Sequence, residues 1–121
     1  MSDSIKKWAE LEETEGLYSY NKSVAQERKT TPVFSGVLMY FPDAIREIAK
    51  CSQIGNDQHH AGEPLHWARE KSGDELDALT RHLMEAGTID TDGVRHSTKV
   101  AWRALANLQK ELEKASCKQF L

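Results

Sequence analysis

The sequence predicts an all-α bundle. Three stretches carry apolar residues at helical spacing, and the connections between them are short. Only PVFSGVLMYF at 32–41 has strand-like composition, and no second run exists to pair with it. That segment is therefore read as a lead-in to a helix.

Taken in order, residues 1–31 are polar, with a weak helical hint from Ile5, Trp8 and Glu12 and then the charged run QERKTT, and read as an N-terminal arm. Residues 32–121 read as one helical domain. Pro42 suits a first helical turn because its missing N–H would be unsatisfied there in any case. DAIREIAKCSQI follows it, with Ile45, Ile48, Ala49 and Ser52 on the buried stripe, and 55–67, GNDQHHAGEPLHW, is expected to be a loop. A second helix is expected from Ser72, where Ser72 and Glu75 have the spacing of a capping box. Leu76, Leu79, Leu83 and Ala86 form its expected core stripe, and Gly87 its C-terminal cap. TIDTDG reads as a turn. A third helix is expected from about His96 to Lys114, burying Val100, Ala104, Leu108, Leu112 and Ala115.

A net charge of −3 gives no broad basic footprint, so binding to nucleic acid is not expected. MSDSIKKWAELEETEG lacks the apolar run of a signal peptide, and no segment is apolar enough to span a bilayer; a cytoplasmic protein without membrane contact is expected. Cys51 and Cys117 have no CxxC partner and read as reduced thiols.

The acidic residues carry the chemistry. Asp43 and Glu47 stand i, i+4 on the first helix, and Asp74 and Asp77 stand i, i+3 on the second with Arg81 one turn further on. Converging carboxylates repel unless a cation lies between them, and hard oxygen donors select Mg²⁺ or Mn²⁺. Helix-dipole stabilisation explains Asp43 and Asp74 without any function, and Glu47 has Lys50 within reach as a surface partner. His96, Lys99, Arg103 and Asn107 form a polar strip on the third helix, of the kind that would hold phosphate. His59, His60 and His66 share one loop, but their spacing matches no zinc motif. Asn56 and Trp67 are candidates for contact with a nucleobase.

Four landmarks together, the REIAK helix, the GNDQH loop with PLHW, DALTRHL and DTDGVRHSTKVAWRAL, resemble the MazG-like all-α nucleotide pyrophosphohydrolases. The likeness spans about residues 29–113 and is nearest to the phage and bacterial dATP/dGTP diphosphohydrolases of the MazZ type. The resemblance implies divalent metal held by an acidic pair on each of two helices, with Glu47 and Asp77 the best-matched ligands and Asp43 and Asp74 their second members. Asp43 departs from the family pattern in spacing and Asp74 in residue type, and Arg103 stands where relatives often carry Asn. The implied reaction is hydrolysis of a purine (deoxy)nucleoside triphosphate, best dGTP or GTP, to the monophosphate. In a phage it would feed a modified-purine DNA pathway in the host cytoplasm. Glu47 and Asp77 are the expected catalytic carboxylates, Arg81, Lys99, Arg103 and His96 the phosphate contacts. A homodimer or homotetramer is implied as well. The alternatives are pyrimidine house-cleaning on dUTP or dCTP, and a non-catalytic helical nucleotide-binding module.

Overall fold

The computed structural model describes residues 24–71 and 73–120, and side chains up to residue 116. Most of the expected arm, Ser72 and the Cys117 side chain lie outside the described residues. The described chain is helical throughout: its regular elements are helices, and the one β contact is an isolated bridge between Ile89 and Arg95. The backbone divides between Pro42 and Asp43 into two units, inside the stretch expected to form a single domain.

In the first unit, residues 24–29 are helical and Phe34–Leu38 forms one turn of π-helix closed by the Met39 N–H on the Phe34 carbonyl at 2.8 Å. The strand-like segment is thus helical, as the missing partner strand required. Its side chains are exposed, Phe34, Met39, Tyr40 and Phe41 among them.

The second unit holds α1 (Pro42–His59) from its second residue on, α2 (Glu75–Leu83) and α3 (His96–Phe120). The starts of α1 and α3 fall where Pro42 and His96 put them. Their ends do not. α1 continues through Gly55 and Asn56 to His59, shortening the expected loop, because the buried Asn56 side chain ties the helix end to the chain beyond it. A single-turn 3-10 helix, Arg69–Lys71, precedes α2.

α2 begins at Glu75, three residues later than expected, so Glu75 occupies the first helical position and forms no capping box. Asp74 is the N-cap residue, yet its carboxylate makes no cap hydrogen bond, being taken by the Arg81 guanidinium at 3.2 Å. α2 ends at Leu83 with Met84 as its C-cap, so Gly87 is not the cap expected of it and Ala86 lies outside the helix. Gly87 (φ 91°) and Gly93 (φ 84°) instead supply left-handed turns in the connection to α3. The Asp90 N–H to Val94 carbonyl bond, 2.9 Å, closes the second of these.

α2 and α3 are the pair of described helices whose backbones pack closely together. The faces they present overturn most of the expected stripe, of which Leu79 on α2 stays half-buried. Leu76 and Leu83 are 62% and 54% exposed, whereas Glu75 (6%) and Ala78 (2%) are buried. On α3 the polar His96, Thr98, Lys99, Arg103, Asn107, Lys110 and Glu113 are buried or half-buried together with Val100, Ala101, Trp102 and Ala106. Of the expected stripe Val100 is half-buried, while Ala104, Leu108, Leu112 and Ala115 are exposed. The helical period was read correctly, but the inward face is a mixed one that carries charged groups beside its apolar residues. The apolar core of the described residues is thin, with Ala78, Val94 and Ala106 its buried members.

Candidate functional site

The seam between α2 and α3 is built from charge pairs. At one end Glu75 accepts from Lys110 Nζ at 3.1 Å, with Arg103 4.0 Å away. Arg69 pairs with Glu113, whose carboxyl is held below its usual range by that guanidinium and by Gln109. At the other end His82 Nδ1 lies 2.9 Å from His96 Nδ1, so one ring must present a proton and the other a lone pair. Burial, then the Lys99 and His96 charges, push the His82 pKa down and favour its neutral form. His96 is 6% exposed and also faces Glu85 at 3.6 Å and Asp90 at 4.0 Å.

The Lys99 ammonium closes this end by donating to Asp90 and Asp92, both at 2.7 Å. Its hydrogen bond, with the Thr91 N–H, holds Asp90 at about 2, and its hydrogen bond likewise lowers Asp92. Burial alone would lower the Lys99 pKa, but the two carboxylates outweigh it and the net shift is upward. Lys99 and His96, expected to reach phosphate, are thus already engaged in pinning the turn before α3.

On its other side α3 faces α1 across a cavity of about 1110 Å³, as large as the pockets that enclose whole cofactors or nucleotides. Ile48, Leu105 and Leu108 make its apolar wall; Lys71, Lys99 and Arg103 are its cations; Asp74, Asp92 and His82 also line it. Two hydrogen bonds cross it among the described residues, from Trp102 Nε1 to Ser52 Oγ at 2.7 Å and from Gln58 Nε2 to Asp92 Oδ2 at 3.5 Å. Cys51, a free thiol on the same wall, has its pKa raised, mainly by burial.

Trp67 meets Trp102 edge-on at 5.6 Å, and Arg69 lies 4.4 Å over its ring. One Trp67 face is therefore covered, while its Nε1 is buried without a hydrogen-bond partner among the described residues. Asn56 is 4% exposed and spends its amide on the loop, donating to the Glu63 carbonyl (2.9 Å) and accepting from the His66 N–H (3.4 Å).

The four expected metal ligands do not come together. Asp43 and Glu47 line a separate cavity of about 260 Å³ with Arg95, Ser97 and Thr98 at the start of α3, whereas Asp74 lines the larger one. Three are paired with a cation of their own helix region: Asp43 with Arg46 (3.7 Å), Glu47 with Lys50 (3.2 Å) and Asp74 with Arg81 (3.2 Å). Asp77 is exposed and makes no hydrogen bond or ion pair among the described residues. Two other groups have metal-ligand geometry, with donor atoms within 4.8 Å of one another: His82, Asp90 and His96, and His60, Glu63 and His66.

Sequence reasoning passed over His82, Asp90 and Asp92. The signal was present in DTDGVRH, two acids, a turn glycine and a histidine within seven residues, but it read as turn chemistry alone.

No curated protein and no solved structure matches the chain. A family model described as dATP/dGTP diphosphohydrolase, N-terminal, matches residues 22–119, which takes in the lead-in segment, the three helices up to the last residue of α3, and the residues lining both cavities. On the strength of that match over most of its length, the chain belongs to the dATP/dGTP diphosphohydrolase N-terminal family.

Proposed function

We propose that the protein hydrolyses a purine deoxynucleoside triphosphate, best dGTP, to the monophosphate in a reaction dependent on Mg²⁺ or Mn²⁺. The observation that carries this reading is the coincidence of the family match with a nucleotide-sized cavity that has one apolar wall and cations along another. Leu105, Leu108 and the two indoles suit a flat base, and the buried Trp67 Nε1 is a donor lacking an acceptor. Arg103 and Arg81 suit the phosphates, since a guanidinium binds phosphate oxygens in pairs. Lys99 keeps its cationic form through Asp90 and Asp92 and acts by setting the turn that carries Asp92 into the cavity.

Asp43, Glu47, Asp74 and Asp77 suit a hard divalent ion by donor chemistry, and Asp77 is the carboxylate with no other partner among the described residues. They fit it as two pairs rather than one cluster, so we place the complete set in a homodimer or homotetramer. The exposed Leu76 and Leu83 and the thin core support such an assembly. Bound there, the ion would lower the pKa of a coordinated water and screen the polyphosphate.

The test uses a panel of eight ribo- and deoxynucleoside triphosphates with Mg²⁺ or Mn²⁺, with products resolved by ion-exchange chromatography. Asp77→Asn is expected to abolish dGMP release while the helical circular dichroism stays unchanged. Full turnover in that variant would sink the ligand assignment. Preference for dUTP or dCTP would point to pyrimidine house-cleaning, and no turnover of any member to a binding module.

A further inference from the structure

The loop after α1 assembles a group that the hydrolysis reading does not use. His60, Glu63 and His66 each present a donor atom, all within 4.8 Å of one another. The His60 and His66 rings lie 4.2 Å apart, and His60 Nδ1 is 3.4 Å from Glu63 Oε2. Seven residues span the group, and an exposed loop does not hold such a shape without support.

The support is visible. The His60 N–H donates to the Asn56 carbonyl (2.7 Å) and the Glu63 N–H to the His60 carbonyl (3.0 Å), with Gly62 at φ 80° making the turn. The buried Asn56 amide then grips both ends of the remaining loop, at the Glu63 carbonyl and the His66 N–H. A further bond sets a tautomer. His66 Nδ1 is 3.0 Å from the Pro64 carbonyl, and a carbonyl only accepts, so Nδ1 carries the proton and Nε2 is left as a lone pair. A ligating imidazole is held in this way in most metal sites, with its second nitrogen donating to a backbone carbonyl or carboxylate.

The geometry points to a transition-metal site at His60, Glu63 and His66, of the Zn²⁺ class, separate from the ions of the hydrolytic reaction. Two imidazole nitrogens and one carboxylate oxygen are a borderline donor set, suited to Zn²⁺ or Co²⁺ rather than to Mg²⁺. Three protein ligands leave a fourth position for water, on the solvent side where Glu63 and His66 are exposed. The ion would clip the loop directly before Trp67 and so fix one wall of the large cavity. The site stands or falls independently of any turnover.

The experiment strips the full chain with a chelator and measures tightly bound Zn²⁺ by equilibrium dialysis, with Co²⁺ absorption as a second readout. His60→Gln and His66→Ala are each expected to lose one bound equivalent relative to the unsubstituted chain. The affinity should fall by at least about 100-fold, beyond the ~10–100-fold that loss of an outer-shell partner costs. His59→Ala, one residue away and outside the group, should bind as the unsubstituted chain does. Circular dichroism checks that each variant is folded, and His60→Gln carries the test if His66→Ala is not. Equal binding in His60→Gln and the unsubstituted chain would overturn the site. So would an equal loss in His59→Ala, or no Zn²⁺ bound at the outset.

Discussion

Across the seam between α2 and α3, side chains meet as charge pairs and a histidine pair, and the two backbones pack closely. Across the cleft between α1 and α3, leucines and isoleucines face a large open volume, crossed by the Trp102–Ser52 and Gln58–Asp92 bonds. The polar surfaces have found one another within the chain, and the apolar ones line space. A protein selected only for monomer stability would arrange these the other way, since burying apolar area is the dominant favourable term and a buried ion pair seldom exceeds its desolvation cost. The difference separates a scaffold from a site. The seam sets register and fixes the turn between Asp90 and Val94; the cleft keeps apolar surface open to a ligand, with Lys71, Lys99 and Arg103 along its lining.

Breaking the seam should have the largest effect. Glu75→Ala would leave Lys110 and Arg103 facing a buried gap. We expect a loss of about 2–3 kcal/mol in urea denaturation, less than the ~3–5 of a fully buried pair because both cations can turn to water. A change under about 0.5 kcal/mol, as at ordinary surface positions, would show that the seam does not organise the fold.

Acid titration tests the other end of the seam. Asp90, held at about 2, and Asp92, also lowered, have folded pKa values beneath the 3.8 of a free carboxyl. Their contribution to stability is complete above that free value and is lost as pH falls through the folded values. Thermal midpoints measured in chelator from pH 5 to pH 2 should therefore drop, and Asp90→Asn should flatten the slope in the lower part of that window. Parallel curves for the two proteins would remove Lys99 from its anchoring role.

The cleft should respond more weakly in stability and more strongly in binding. Gly55 lies mid-helix in α1 on the cavity wall, and a Cβ there meets nothing within 4 Å. Gly55→Ala is expected to stabilise by roughly 0.5–1 kcal/mol through lost backbone freedom in the unfolded chain. If the cavity holds the nucleotide, the added methyl should raise KM for dGTP while thermal stability rises. Higher stability with KM unchanged would place the base elsewhere.

Much of the fold was legible. Pro42, the turn through Gly93 and the start of α3 at His96 act through local backbone rules, and they hold in the structure, whereas α2 stops at a Met84 cap before reaching Gly87. Which face turns inward was not legible. Periodicity locates a stripe, but Leu76 and Leu83 look outward because the facing surface of α3 offers Lys110 and Arg103 to Glu75. That choice depends on a partner 35 residues away. The candidate site divides likewise: Arg81 beside Asp74 and Lys50 beside Glu47 follow from helical spacing, while the joining of Lys99 to Asp90 and Asp92 depends on a turn that folds back.

The central claim is that this chain cleaves a purine deoxynucleoside triphosphate in the cleft. The direct measurement incubates the purified chain with dGTP and Mg²⁺ or Mn²⁺, follows products by ion-exchange chromatography, and repeats the reaction after chelation. Metal-dependent appearance of dGMP, lost with chelator, is the predicted result. Intact dGTP under every metal condition, in a chain whose circular dichroism shows it folded, would contradict the account.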